Sequence, residues 1–415
     1  MTELDLRVGI VGFGLRAGLW RYLEQPSNGA AGSRGSRVSI VCDLSERGRA
    51  DAAAKLPEAK VTADLTELIA ERPDAVVVLV PDFAHAEVVI PLLEAGIPAF
   101  CEKPLDISLE AADRILETAY RTGTRLYVGH NMRHMPVVRQ MREIIESGRI
   151  GEVKAVWCRH FVGNGGDYYF KDWHAERAKV NSLLLQKGAH DIDVIHWLAG
   201  GYTRSVSAIG SLSVYGDVAS RRDNSDRRMG DWFSAGNWPP AAQTDLNPVI
   251  DVEDLSMMQM VLDNGVLASY QQCMFTPDYW RNYTVIGTEG RIENYGDGPG
   301  ELIKIWTSRH THSLPEPDET LVIAGDDEGH GGADPSLIAE FLRFAVSGGP
   351  TATNPVAARE AVAAGVLAAQ SLRSDGGARR VPELPAELRE YFEAGQPDSG
   401  GAVRAATVPD VAAGR

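Results

Sequence analysis

The sequence predicts an α/β protein of two domains, and three observations lead there. The chain has 415 residues, more than one hydrophobic core ordinarily serves, so two cores are expected. Its first third alternates short apolar runs with amphipathic stretches, the order of strands and helices in an open parallel sheet. Past residue 250 the apolar residues recur at period two, which marks antiparallel strands with one face buried. Composition is ordinary for a globular chain, 44% hydrophobic and 24% charged. A formal charge of −16 argues against nucleic acid or an anionic membrane surface as partner, since both would repel it. No basic segment followed by an apolar one opens the sequence, and no apolar run is long enough to span a bilayer. Cys42, Cys101, Cys158 and Cys273 lie apart, without C-x-x-C spacing. Reduced core cysteines, no metal site and a cytoplasmic location are the expectation.

Val8, Ile10 and Val11 form the first strand, which runs directly into Gly12-Phe13-Gly14-Leu15-Arg16-Ala17. The spacing G-x-G-x-x-A has a physical reading. Gly12 permits a tight turn, Gly14 lets the backbone approach a pyrophosphate, and Ala17 allows a helix to pack closely on the strand. The N-terminus of that helix then faces the phosphates of a dinucleotide. A glycine-rich loop over 27–35 leads to a second strand, Val38 to Asp43, which ends on an acid. A carboxylate there hydrogen-bonds the ribose hydroxyls of adenosine and repels a 2′-phosphate, so NAD is expected in preference to NADP. Arg47 is the nearby group that could soften this preference. The plainer reading makes Asp43 a cap for the helix that follows Ser45.

Ala75 to Val80 is a buried strand ended by Pro81-Asp-Phe-Ala-His85, and a helix from about Ala86 to Ala95 stops at Gly96. Ile97 to Cys101 is the next strand, with Glu102-Lys103-Pro104 at its carboxyl end. Parallel sheets bind ligands at that edge. An ammonium there could hydrogen-bond a substrate hydroxyl and help move its proton; a surface lysine in a loop is the bland alternative. Leu126 to Gly129 is another strand, followed by His130-Asn131-Met132-Arg133.

The second half opens with an amphipathic helix over 136–147 and a long strand from Val153. The loop beyond carries Tyr168, Tyr169, Trp173 and His174, whose rings suit the C–H faces of sugars as well as a core. Leu183 to Leu198 reads as one helix with His190 and Asp193 on a shared face. Their spacing would serve a metal, but no third ligand is evident. Residues 210–247 form a polar excursion containing Trp232 and Trp238, read as a cover for a neighbour's site, an oligomer contact or a disordered loop. Hairpins follow across Asp263-Asn-Gly265 and at Gly290, with a further strand over 301–307. Gly329-His330-Gly-Gly-Ala-Asp334-Pro335 puts His330 on an exposed turn, with Asp334 as N-cap of the next helix. Ala357 to Leu372 is a last helix, and a disordered tail is expected beyond. The domains are therefore drawn at 1–130 and 131–390, with a tail at 391–415.

Read together, these motifs resemble the glucose–fructose oxidoreductase/inositol dehydrogenase/rhizopine catabolism (Gfo/Idh/MocA) family. The matching features are Gly12-x-Gly14-x-x-Ala17, Pro81-x-x-x-His85, Glu102-Lys103-Pro104, Asn131-x-Arg133 and Lys187-Gly-Ala-His190-Asp-Ile-Asp193, in that order over residues 7–200. The resemblance implies an N-terminal Rossmann domain and a C-terminal α/β domain on a large, mostly antiparallel open sheet. It implies a nicotinamide cofactor, which Asp43 narrows to NAD, a sugar or polyol substrate, and a homodimer or homotetramer assembled through the sheet. Cofactor contacts would come from Gly12, Phe13, Gly14, Leu15, Arg16, Asp43, Pro81, His85, Glu102 and Lys103. Lys103 and His190 would be catalytic, and Gln186, Asp193, Arg133, Trp173 and His330 would meet the substrate. Arg133 and Arg159 also leave room for a carboxylated one.

One departure stands out. Most dehydrogenases of the family carry an aspartate where this chain has Gln186, and an amide cannot accept a proton as a carboxylate does. The His330-Gly-Gly-x-Asp334 stretch resembles one in relatives that cleave glycosides with bound NAD. The expected activity is thus oxidation of a sugar or polyol hydroxyl. The alternatives are a glycosidase or lyase that oxidises its sugar transiently, and a non-catalytic nucleotide-binding regulator.

Overall fold

Apolar runs become the centre of a parallel sheet because they are buried on both faces and can only pair inside a core, with the short, half-exposed Lys60–Thr62 at one edge. The computed structural model describes residues 5–25, 35–309, 311, 316–325 and 328–397. Residues 27–34 of the glycine-rich loop and the tail from 398 lie outside the described residues. Among the described residues the strands are β1 (Leu6–Val11), β2 (Ser36–Cys42), β3 (Lys60–Thr62), β4 (Ala75–Val78), β5 (Ala99–Cys101) and β6 (Leu126–Val128). Their order, β3-β2-β1-β4-β5-β6, is that of a doubly wound dinucleotide fold. The helix expected after the fingerprint is shorter than predicted, a 3₁₀ turn Leu15–Leu19 followed by Trp20–Leu23.

The chain divides into two compact units, and the boundaries differ from 1–130 and 131–390. The first holds residues up to Gly129, Leu337–Arg359 and the described residues from Glu383; the second holds His130–Ser336 and Glu360–Pro382. Later segments complete the first unit. Leu337, Ile338, Phe341 and Phe344 are buried in one cluster with Val8, Ile10, Phe100 and Tyr127. The Phe341 ring lies 5.4 Å from Phe100 and 5.8 Å from Tyr127, and the Tyr127 hydroxyl donates to Glu340 at 2.8 Å. The expected tail at 391 begins as structure instead. Ala386–Glu393 is a helix with Tyr391 and Phe392 buried, and the Gln396 amide brackets Leu126 of β6, accepting its N–H at 2.8 Å and donating to its carbonyl at 2.7 Å.

Among the described residues of the second unit nine strands form a mixed, mostly antiparallel sheet. They are β7 (Val153–Val162), β8 (Thr203–Ser211), β9 (Leu255–Leu262), β10 (Leu267–Cys273), β11 (Tyr279–Gly287), β12 (Arg291–Tyr295), β13 (Leu302–Trp306), β14 (Glu319–Val322) and β15 (Arg379–Arg380). Their order is β14-β13-β12-β11-β7-β10-β9-β8-β15, with one parallel pair, β7 with β10. Alternation sets the faces. Val156, Cys158, His160 and Val162 of β7 are buried, whereas Trp157 and Arg159 point away, half-exposed. The buried face packs on residues of helices Pro136–Glu146, Gly188–Ala199 and Pro355–Leu372.

The predicted helix 183–198 is two pieces, Leu183–Gln186 and Gly188–Ala199, broken at Lys187. The polar excursion is ordered and docks on the loop after β7. Tyr215, Val218, Leu246 and Val252 share a core with Phe170, Ala175 and Leu183. Among the described residues no helix is long and apolar enough to cross a membrane, and no group of side chains has the make-up of a metal site.

Candidate functional site

In the first unit the fingerprint turn is fixed by one backbone approach. Gly12 has φ +91°, and a Cβ there would stand 2.8 Å from the Leu79 carbonyl, so no other residue fits. At Gly14 an added Cβ would meet nothing within 4 Å, so the space beside this backbone is clear for a pyrophosphate. The Phe13 side chain is core, and its N–H donates to Asp43 Oδ2 at 2.6 Å, so Phe13 anchors the turn and does not face a ligand with its ring. Leu15 is exposed.

Asp43 holds the cap of the next helix in place and keeps room for a further donor. Its Oδ1 accepts the N–H and hydroxyl of Ser45 at 2.7 Å each, and Ser45 in turn caps helix Glu46–Lys55. Gly48 makes room for the carboxylate, since a Cβ there would lie 2.4 Å from it. Those contacts take three of the roughly four lone pairs a carboxylate offers, which leaves Oδ2 able to accept a ribose hydroxyl. These residues fit an adenine dinucleotide. Asp43→Ser should therefore weaken NAD binding and narrow the preference over NADP. Parallel titrations of the two cofactors check this, and an unchanged ratio would remove Asp43 from cofactor choice.

Beside the fingerprint, Arg16 Nε donates to Glu102 Oε1 at 2.7 Å, and Glu102 Oε2 accepts the Lys103 N–H at 3.0 Å. The Lys103 turn is thus tied to the glycine loop. His85 differs from expectation. Its ring is fully buried, with Nδ1 2.8 Å from the Pro104 carbonyl and Nε2 3.2 Å from that of Val80. The ring supports the Glu102-Lys103-Pro104 turn from beneath, and Pro81 leads into the 3₁₀ turn Asp82–Ala84 just before it.

The second unit carries the other predicted residues. Arg133 and Asp193, both expected at substrate, are buried and bind each other through two bonds of 2.8 and 2.7 Å. Burial opposes ionisation of Asp193, but the charges of Arg133 and His130 outweigh it and hold the carboxyl below its usual range. The guanidinium also lies over the Trp197 ring. A side chain so engaged has little left for a ligand, so both become support for helix Gly188–Ala199. His190 is half-buried on that helix, with its ring 6.5 Å from that of His130 in edge-to-face contact. The His130 Nδ1 lies 3.7 Å from Asp193. Gln186 is buried at the end of the preceding short helix. Trp173 is half-buried and stacks on His174. His330 is half-exposed at φ +52°, and its Nδ1 lies 2.9 Å from Asp334 Oδ2; the other oxygen, Oδ1, accepts from Asn131 at 3.2 Å.

Two buried histidines beside helix Gly188–Ala199 carry no signal of their own in the sequence: His130, just after β6, and His160, within β7. The period-two pattern of β7 places His160 inward. There its Nδ1 lies 3.1 Å from the buried Asp191, which also accepts from the Tyr283 hydroxyl at 2.5 Å and lies 3.0 Å from Arg281 Nε. Burial and the Arg281 charge push His160 down to about 3 against the pull of Asp191; burial likewise takes His196 to about 3 against Asp193. The unfolded chain binds protons near pH 6.5 that these folded imidazoles refuse. Their contribution is therefore whole above about pH 6.5 and drains away as pH falls towards 3. Urea melts at pH 7 and pH 5 should show the loss, and His196→Asn should flatten the slope. An identical slope in the variant would count against a neutral His196.

Comparison with known proteins agrees with this division. Residues 6–130 match the model of the oxidoreductase family, NAD-binding Rossmann fold, and residues 138–293 match the GFO/IDH/MocA C-terminal domain. YteT of Bacillus subtilis (strain 168) is 26% identical over 329 residues, 70% of this chain and 76% of its own. The inositol 2-dehydrogenase of Corynebacterium glutamicum (strain R) is 31% identical over 204 residues, 49% of this chain and 56% of its own. A 2,7-anhydro-N-acetylneuraminate hydratase of Mediterraneibacter gnavus (strain ATCC 29149) is 30% identical over 219 residues, 49% of this chain and 57% of its own. The chain thus spans just over half the length of these last two relatives. In fold it is similar to the crystal structure of GenD2 from gentamicin A biosynthesis in complex with NAD, with a TM-score of 0.69 at 21% identity over 92% of this chain and 98% of that one.

Proposed function

Because this chain belongs to the Gfo/Idh/MocA family of oxidoreductases, we propose that it oxidises a hydroxyl of a sugar, polyol or sugar derivative with NAD. The observation that carries the reading is the Arg16–Glu102–Lys103 linkage, which ties an amine-bearing turn to the glycine fingerprint. When bound, the dinucleotide supplies the acceptor for the hydride that leaves the carbinol carbon. The Lys103 ammonium hydrogen-bonds the reacting hydroxyl, and His190 takes its proton as the carbonyl forms. Gln186 offers an amide to a neighbouring hydroxyl, and Asp43 receives the adenosine ribose. The half-exposed face of the second sheet, with Trp157, Arg159 and Leu267, supports assembly into a homodimer or homotetramer. A screen of sugars, inositols, sugar acids and glycosides for NADH formation tests the reading. Failure of every member to reduce NAD would reject it.

A second reading has its own observation. Asp334 orients the His330 imidazole through Nδ1, leaving Nε2 as the basic atom, the usual build of an acid–base histidine. With an amide at Gln186, such a second base suits elimination or hydration across a transiently oxidised sugar, and one relative is named a hydratase. Product formation without net NADH distinguishes this reading from the first.

A further inference from the structure

Five aromatic rings run in unbroken contact through the loop after β7 and into the excursion. Trp173 stacks on His174 with centroids 3.8 Å apart, His174 meets Tyr169 edge-on at 5.7 Å, Tyr169 lies 6.1 Å from Tyr168, and Tyr168 lies 5.5 Å from Phe233. The row grades outward, from His174 at 7% exposure to Tyr168 at 37% and Phe233 at 42%, and Trp238 of the same excursion is 47% exposed.

What holds the outer end in place is polar. Asp167 and Lys171 form a buried ion pair of 2.9 Å. Asp167 also accepts two contacts from the Asn237 amide, at 2.8 and 3.1 Å, and its carbonyl accepts the Trp232 indole N–H at 2.9 Å. A buried ion pair is a poor source of net stability, and its merit lies in fixing one arrangement. Here the arrangement fixed is the register of the excursion, with Trp232 and Asn237 locked on either side of Phe233.

We propose that this row is a carbohydrate platform that seats a second glycosyl unit, so that the substrate is a glycoside and not a free monosaccharide. The proposal rests on the sugar-oxidising reading above and narrows it. Aromatic rings bury about 150–250 Å² each when fully covered, so the two exposed rings of the row, Tyr168 and Phe233, offer about 120–200 Å². A protein partner needs roughly 800 Å² from each side, whereas one sugar ring is covered by such a strip. The strongly acidic chain, at −16, favours a neutral sugar over an anionic one.

The test uses the full chain with NAD and matched sugars: glucose against maltose and cellobiose, and galactose against lactose and melibiose. Turnover is read both as NADH and as liberated monosaccharide. The wild type should show a KM at least tenfold lower for one disaccharide than for its monosaccharide. Phe233→Ala should raise that disaccharide KM about tenfold and leave kcat and the monosaccharide KM within twofold, and Phe233→Tyr should restore it. Equal KM values for the two sugar classes, or a Phe233→Ala effect of the same size on both, would overturn the platform while leaving sugar oxidation intact. Turnover of neither class, with NADH formed from another member of the wider screen, would overturn the platform and leave the oxidation reading standing.

Discussion

Lys103→Met and His190→Ala should each lose on the order of a hundredfold or more in kcat, the usual worth of a group that moves a proton in the transition state. NAD affinity should change by less than about tenfold, or roughly 1.4 kcal/mol. The local structure supports this separation. The Lys103 turn is held by its backbone N–H on Glu102 and by the His85 ring at the Pro104 carbonyl, neither of which needs the ammonium. Met keeps most of the aliphatic length, so the change removes charge and donor with little else. His190 lies on a helix anchored by its neighbours Asp191 and Asp193, so its ring can be removed without freeing the helix. Single-turnover rates with a sugar that reduces NAD, beside a fluorescence titration of NAD, make the comparison. Near-normal turnover in Lys103→Met would sink the mechanism. His85 makes a poor control for this series, because its loss would disturb the same turn.

Breaking the Arg133–Asp193 pair should strongly destabilise the second unit. Removing one partner of a buried, bidentate pair leaves the other charge without its counterion, at a cost of about 3–5 kcal/mol. That is a large part of the roughly 5–15 kcal/mol by which domains are stable. Arg133→Ala and Asp193→Ala should each lower the urea midpoint strongly, and Arg133→Met with Asp193→Leu should recover most of the loss. The coupling from this double-mutant cycle measures the pair. Single variants that lose less than about 1 kcal/mol would mean that water reaches the ion pair.

The sequence made some features legible because they leave a mark on residue type. Gly12 and Gly265 sit at φ +91° and +86°, where only glycine is at ease, so the fingerprint turn and the 263–265 hairpin could be read directly. Period two past residue 250 marked the antiparallel strands β9 and β10 in the same way. Partnership across the chain leaves no such mark. Arg133 and Asp193 were visible as charged members of motifs, but nothing local says that residues sixty apart neutralise each other. The close fit at Gly188 is unmarked too, since its would-be Cβ lies only 3.0 Å from the distant Tyr270 ring. Leu337 to Val346 reads as an apolar helix and is one, yet its pattern does not say which sheet it covers. Polarity misled at His85, where a ring expected at the cofactor is enclosed between two backbone carbonyls.

The return of residues 337–359 and 383–397 to the first sheet sets an order of assembly. A ribosome releases β1 to β6 long before Phe341 and Gln396 exist. Until they emerge, Phe100 and Tyr127 lack the side chains that cover them, and the Leu126 N–H and carbonyl lack the amide that brackets them. An uncovered apolar face beside an open strand edge invites pairing with another nascent chain. The first unit is thus begun first and finished last, and its apolar face stays uncovered while the second unit is being made.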